Sequence, residues 1–154
     1  MAKQQCSKCG KQFGGFSFTS LQSIKGDYFC SSCAQEYVRD AIASVQITTT
    51  HTIEGHRVVR YLDIESVEIV VGTGMFSEFG GDVADFFGAR STAFEKKLQK
   101  AKRTALDKLR YLAFDRGGNA VLGVDLDYTE FSGNRIGLIA NGTIVRVEPI
   151  EPQN

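Results

Sequence analysis

Four cysteines near the start of the chain have the type and spacing that could bind a metal ion. Cys6 and Cys9 form one Cys-x2-Cys pair, and Cys30 and Cys33 form a second pair after 20 intervening residues. This spacing is typical of zinc sites in which two tight turns bring four thiolates around one tetrahedral ion. Four protein ligands leave no coordination position open for a substrate. The pattern therefore predicts one structural zinc ion per chain.

The same four cysteines allow three other interpretations. They could be redox dithiols, a transient heavy-metal site, or part of a finger that contacts nucleic acid. A redox pair of this kind needs a thioredoxin-like βαβ context, which the neighbouring residues lack. Eighteen basic residues balance eighteen acidic ones, so the positive field that favours nucleic acid is absent and we do not expect this partner. We favour the structural zinc site because so short a segment cannot fold without a cross-link such as a bound metal ion.

The residues around the cysteines predict the elements that position them. Between the two pairs, aromatic and aliphatic residues flank a turn at Gly26-Asp27, which predicts a small β-hairpin. After the second pair, apolar residues recur at helical spacing, so this pair is expected to open a helix. The order resembles that of the treble-clef zinc fingers and defines a first domain, residues 1–44. Such a finger could also bind another protein through the aromatic residues Phe13, Phe16 or Phe18.

A second domain, residues 45–150, is predicted to combine short strands with one long helix. The strand-like segments are residues 46–50, 57–62, 64–71 and 120–129. Ser91 or Thr92 is expected to cap the helix, since Thr92 and Glu95 have the spacing of a capping box. Glycine at position 117 is expected to end it. Residues 151–154 form a C-terminal tail.

The last segment of the second domain allows two predictions. Asn141-Gly142 is flanked by apolar residues, a pattern that favours a two-residue hairpin turn. One long strand with a bulge at Gly142 is the alternative.

Few residues of the second domain could do chemistry. The chain's two histidines, His51 and His56, are too few for a soft-metal site unless several chains pool their ligands. Asp125 and Asp127 share a strand face and could act as acid and base or hold a hard cation. Alternation on a half-exposed strand predicts the same placement without any activity. We therefore expect no catalytic residue and no enzyme, and a small hydrolase is the least favoured alternative.

Several stretches of the second domain together resemble the YbjQ family. They are residues 52–55, 69–73, 88–91, 101–106, 118–128 and 140–145. The family pattern has Gly-Gly-Arg-Ser where this chain has Gly88-Ala89-Arg90-Ser91. The resemblance implies an α+β fold, a dodecin-like subunit with one long helix across a small antiparallel sheet. It also favours the long final strand over the hairpin.

The resemblance also implies a homo-oligomer, a ring of five subunits in which strands contribute to the contacts. The family is often labelled heavy-metal-binding, but it has no established reaction to transfer. We therefore expect a zinc-containing, ring-forming binding or scaffold protein; the alternative is a metal-ion or small-ligand binder that uses clefts between subunits. Because the chain has no stretch of signal-peptide character and no run of about 18 apolar residues, we expect a cytoplasmic protein without a membrane span.

Overall fold

The computed structural model of the 154-residue chain describes residues 4–13, 21–71, 86–131 and 135–151. The chain separates into two compact units, Met1–Ser44 and Val45–Asn154. Within the described residues, each unit combines β-strands with a single helix. The predicted α+β class is confirmed.

The first unit contains two antiparallel strand pairs followed by a helix. The strands are β1 (Gln4–Gln5), β2 (Gln12–Phe13), β3 (Leu21–Ile24) and β4 (Asp27–Cys30), and the helix is α1 (Ser31–Ser44). β1 pairs with β2, and β3 pairs with β4. Lys25 and Gly26 join the second pair with φ values of 52° and 94°, as a two-residue type I′ turn requires. The hairpin turn thus lies one residue before the predicted position.

The second unit is a four-stranded sheet with one long helix. The elements are β5 (Gln46–Ile47), β6 (His56–Val71), α2 (Phe86–Asp115), β7 (Ala120–Phe131) and β8 (Arg135–Pro149). The strand order is β5-β7-β8-β6. β8 is antiparallel to both of its neighbours, whereas β5 is parallel to β7. The prediction of a purely antiparallel sheet was therefore wrong at one edge, because pairing of the short β5 is not a local property of its sequence.

Strand pairing also decides the lengths of β6 and β8. The two segments predicted at 57–62 and 64–71 form the single strand β6. Its pairing with β8 has two register irregularities, between Val58 and Arg60 and between Tyr61 and Asp63. β8 continues through Asn141 and Gly142, which pair with Ser66 and Glu65 of β6. The prediction of one long final strand is confirmed. The bulge predicted at Gly142 lies instead on the neighbouring strand β7, where Gly123 and Val124 are opposite Gly142.

The two ends of α2 differ in how well local sequence predicted them. The helix begins at Phe86, so the cap predicted at Ser91 or Thr92 was wrong; a Thr-x-x-Glu pattern also occurs inside helices, where it caps nothing. At the other end, Gly117 has φ 80°. The N–H groups of Gly117 and Gly118 donate to the carbonyls of Phe114 and Ala113, the two hydrogen bonds of a Schellman motif.

The main core lies between α2 and one face of the sheet. Ala105, Leu109 and Ala113 of the helix are fully buried against Val121 and Ile144. A second cluster occupies one end of the opposite face. It consists of Ala120, Leu122, Val145 and Val147, with Ile53 and Val58 packed against it. No helix in the described part of the chain is both long and apolar enough to span a bilayer.

Candidate metal centre

The first pair of predicted ligands lies in the turn between β1 and β2. The Cys6 N–H donates to the carbonyl of Lys11 at 2.9 Å, and the Gly10 N–H donates to the carbonyl of Cys6 at 2.9 Å. Gly10 has φ 72°, a conformation that glycine adopts at little cost. These hydrogen bonds close a tight turn that contains both Cys6 and Cys9.

The second pair lies where β4 ends and α1 begins. Cys30 is the last residue of β4, where it pairs with Leu21. Cys33 lies in the first turn of α1, which starts at Ser31. The backbone N–H of Ser7 donates to the carbonyl of Tyr28 at 2.8 Å and thereby holds the first turn beside β4. The hairpin and the helix therefore carry the second pair of sulfurs to the first.

The structure brings all four predicted sulfur ligands together. The Sγ atoms of Cys6, Cys9, Cys30 and Cys33 lie within 4.8 Å of one another, and those of Cys9 and Cys30 are 3.9 Å apart. A regular tetrahedron with metal–sulfur bonds of about 2.3 Å has edges of about 3.8 Å. None of the four cysteines forms a disulfide. The arrangement therefore fits one tetrahedral ion that prefers thiolate ligands.

Hydrogen bonds shift the pKa values of Cys6, Cys30 and Cys33 in different directions. The pKa of Cys6 is lowered to about 6, chiefly because the backbone N–H of Cys9 donates to its sulfur. A hydrogen bond with Ser32 lowers the pKa of Cys30. The pKa of Cys33 is raised to about 12 by its hydrogen bond with Cys30 and then by burial. Four crowded sulfurs cannot all ionise without a cation, so a bound metal ion would displace the remaining protons.

The ligands form part of the small core of this unit. Cys6 and Ala34 are each 1% exposed and Phe29 is 5% exposed, whereas Cys9 is exposed. The Phe29 ring stacks on Tyr37 with 4.7 Å between the centroids. Among the described residues of this unit, the buried side chains are few and contribute little to folding on their own, which makes a metal ion the expected source of stability.

Comparison with known proteins concerns the second unit. Residues 45–148 match the model of the YbjQ family, whose description is "Putative heavy-metal-binding". The chain belongs to the YbjQ family. The matched region begins after all four cysteines, so the clustered thiols lie outside the YbjQ domain.

The solved structures that are similar to this chain include a protein of unknown function from Pediococcus pentosaceus ATCC 25745, assigned to the DUF74 family. It is 16% identical, and the match covers 68% of this chain and 98% of that one with a TM-score of 0.42.

Among the described residues, the two histidines of the YbjQ domain do not join a third ligand in a potential metal site. Nδ1 of His56 lies 3.0 Å from the carbonyl oxygen of Glu54, to which it donates, so this nitrogen is not available as a ligand. The His51 ring is exposed and lies beside the bulge, where a Cβ atom added to Gly123 would be 3.2 Å from its Nδ1. Apart from the four cysteines, no group of three or more His, Cys, Asp or Glu side chains in the described residues forms a potential metal site.

The two aspartates lie on the face of the sheet that points away from α2. Asp125 and Asp127 are both exposed. They alternate with Val124 and Leu126, which belong to the core beneath the helix. This is the placement that strand alternation alone predicts.

Two of the three aromatic residues predicted to contact a partner protein, Phe16 and Phe18, lie outside the described residues. Phe13 is half-buried and packs against the cysteine cluster. Sequence reasoning missed Lys8 and Glu36, whose side chains form an ion pair at 3.0 Å. This pair joins the first cysteine turn to α1, and no sequence motif marks it.

Proposed function

We propose that this YbjQ family member is a zinc-containing, ring-forming scaffold protein in which the first unit is a protein-binding zinc finger. The convergence of four cysteine sulfurs within 4.8 Å is the observation that carries the proposal. We assign the assembly of the ring to the YbjQ domain, because the family resemblance implies an oligomer.

Zinc is the ion that the ligand set favours. Soft thiolates in a tetrahedral set select zinc, copper(I) or iron–sulfur centres, and zinc is the usual occupant of paired Cys-x2-Cys turns. Because the protein supplies all four ligands, the ion would be structural, with one zinc per chain. The order of turn, hairpin, second pair and helix supports a treble-clef finger. We place the protein in the cytoplasm, where thiols stay reduced.

In the proposed ring, the YbjQ domain would form the subunit contacts through the strand at the edge of its sheet. β6 is a 16-residue strand at the edge of the sheet. It carries Tyr61, Ile64 and Val70, which are 72%, 79% and 60% exposed. Long edge strands with exposed apolar side chains are normally covered, since their unpaired backbone groups invite further strands. Contacts with a second copy would cover this edge, which supports a homo-oligomer. The dodecin-like subunit and the number of five subunits come from the family resemblance alone.

Native mass spectrometry combined with metal analysis tests this proposal. We expect a pentamer that carries one zinc ion per chain. A monomer would contradict the ring, and protein that binds no metal would contradict the finger. A second metal or a bound small molecule in stoichiometric amount would favour the alternative, a binder that uses clefts between subunits.

A further inference from the structure

The first unit contains a cleft that the cysteine site does not use. Its volume is about 470 Å³, within the range of about 300 to 1,000 Å³ that is usual for ligand sites. The first cysteine turn, the start of β4 and one side of α1 line it. The lining residues include Lys8, Asp27, Phe29, Tyr37, Asp40 and Ala41.

The cleft combines an aromatic wall with carboxylates. The aromatic wall is mainly Tyr37, because Phe29, which stacks on it with an angle of 23° between the planes, is only 5% exposed. Asp27 comes from the start of β4 and Asp40 from α1. Both aspartates are exposed. A long side chain that entered here would lie along the aromatic wall and end among negative charges.

The charges around the cleft favour a cation. Three carboxylates, Asp27, Glu36 and Asp40, outnumber the two cations of this region. The ammonium group of Lys8 is paired with Glu36 at 3.0 Å and also interacts with the charge of Asp40. Arg39 contacts Asp40 at 3.2 Å, but its side chain is 74% exposed, and ion pairs this exposed are weak and easily exchanged. With zinc bound, the four thiolates would leave a net charge of −2 close by, which adds to the preference.

We propose that this cleft binds an arginine side chain of a partner protein, with the guanidinium group against Tyr37 and paired to Asp27 and Asp40. This inference rests on the proposed protein-binding role of the finger and names the partner's chemistry. Arginine fits better than lysine because its planar group can stack on an aromatic ring and can donate to two carboxylates at once.

Fluorescence anisotropy with the full zinc-loaded protein tests the proposal. The probes are labelled Gly/Ser peptides of equal length that carry three arginines, three lysines or three glutamates. We expect the arginine peptide to bind tightest and the glutamate peptide not to bind. Equal binding of the arginine and lysine peptides, or no binding of either, would overturn the assignment.

Two double variants distinguish binding in the cleft from attraction by the net charge of the protein. Asp27→Asn with Asp40→Asn should weaken binding of the arginine peptide by about two- to tenfold, since two exposed charged acceptors are lost. Asp107→Asn with Asp115→Asn changes the net charge equally, but on exposed positions of α2, and should bind as the unaltered protein does. An equal loss in both variants would show that only net charge matters.

The aromatic wall has its own test. Tyr37→Leu should weaken arginine binding more than lysine binding, whereas Tyr37→Phe should retain both. Zinc content and oligomeric state are measured on every sample. If the unaltered protein keeps its zinc and its assembly but binds no arginine peptide, the proposal of arginine binding in the cleft is wrong and the proposed function stands. If the unaltered protein contains no zinc, the proposed zinc finger is wrong.

Discussion

The Sγ atom of Cys9 lies 3.9 Å from that of Cys30, although the two residues are 21 positions apart in sequence. This distance is close to one edge of a four-sulfur tetrahedron and far from the length of a disulfide, about 2.05 Å. The hairpin β3–β4 reverses the chain between the two cysteine pairs and so makes the approach possible. One ion bound here would tie both turns and the start of α1 together.

Replacement of one ligand should unfold the first unit and spare the second. Cys30→Ser removes one donor from the tetrahedral set, and zinc binding contributes about 10 to 16 kcal/mol to the folding of comparable modules. We expect loss of zinc and of the α1 helical signal, with the YbjQ domain still folded, because that domain has its own core. Metal analysis and circular dichroism check this.

Ser7→Ala is the matched control, since it changes a residue beside Cys6 without removing a sulfur. It should retain zinc and full helicity. A Cys30→Ser protein that keeps stoichiometric zinc would contradict the four-ligand site, and one whose YbjQ domain also unfolds would contradict independent cores.

Acidification should release the metal. A thiol must lose its proton to bind zinc, so protons and zinc compete for the same four sulfurs. Affinity should therefore rise with pH and fall as pH decreases from neutral, with zinc released to a colorimetric chelator at acidic pH. Release that did not depend on pH would argue against thiolate ligands.

Substitution of Leu109 should destabilise the YbjQ domain strongly. This side chain is 0% exposed at the centre of the helix–sheet core, and Leu→Ala changes at such sites cost about 2.7 to 5 kcal/mol. We expect Leu109→Ala to lower the midpoint of urea unfolding accordingly. Lys108→Ala, at the exposed neighbouring position, should change it by no more than about 0.5 kcal/mol.

Gly142→Ala tests the close approach opposite the bulge. A Cβ atom at this position would lie 2.5 Å from Cγ1 of Val121 and 3.3 Å from Cγ2 of Val124. Such overpacking costs about 1 to 3 kcal/mol. The double variant Gly142→Ala with Val121→Ala removes the main clash, so its loss of stability should be smaller than the sum of the two single losses. Additive losses, measured by denaturant unfolding, would contradict the close contact.

The parts of this protein that sequence reasoning predicted are those with local causes. The spacing of Cys6, Cys9, Cys30 and Cys33 indicates a shared ligand set because each pair needs only a tight turn. Gly117 marks the end of α2 because its positive φ is a property of one residue and its neighbours. The length of β8 came from the family resemblance, since Asn141-Gly142 by itself favours a hairpin.

Tertiary structure decided the features whose causes are distant in sequence. Gly142 continues a strand because it is paired with Glu65 and faces the bulge at Gly123. The short β5 pairs in parallel with β7, which lies more than 70 residues further on, so local sequence could not predict this pairing. Asp27 and Asp40 line one cleft only because β4 and α1 pack beside the same turn. Local sequence determines turns, caps and ligand spacing, whereas strand partners and shared clefts depend on which distant segments the folded chain brings together.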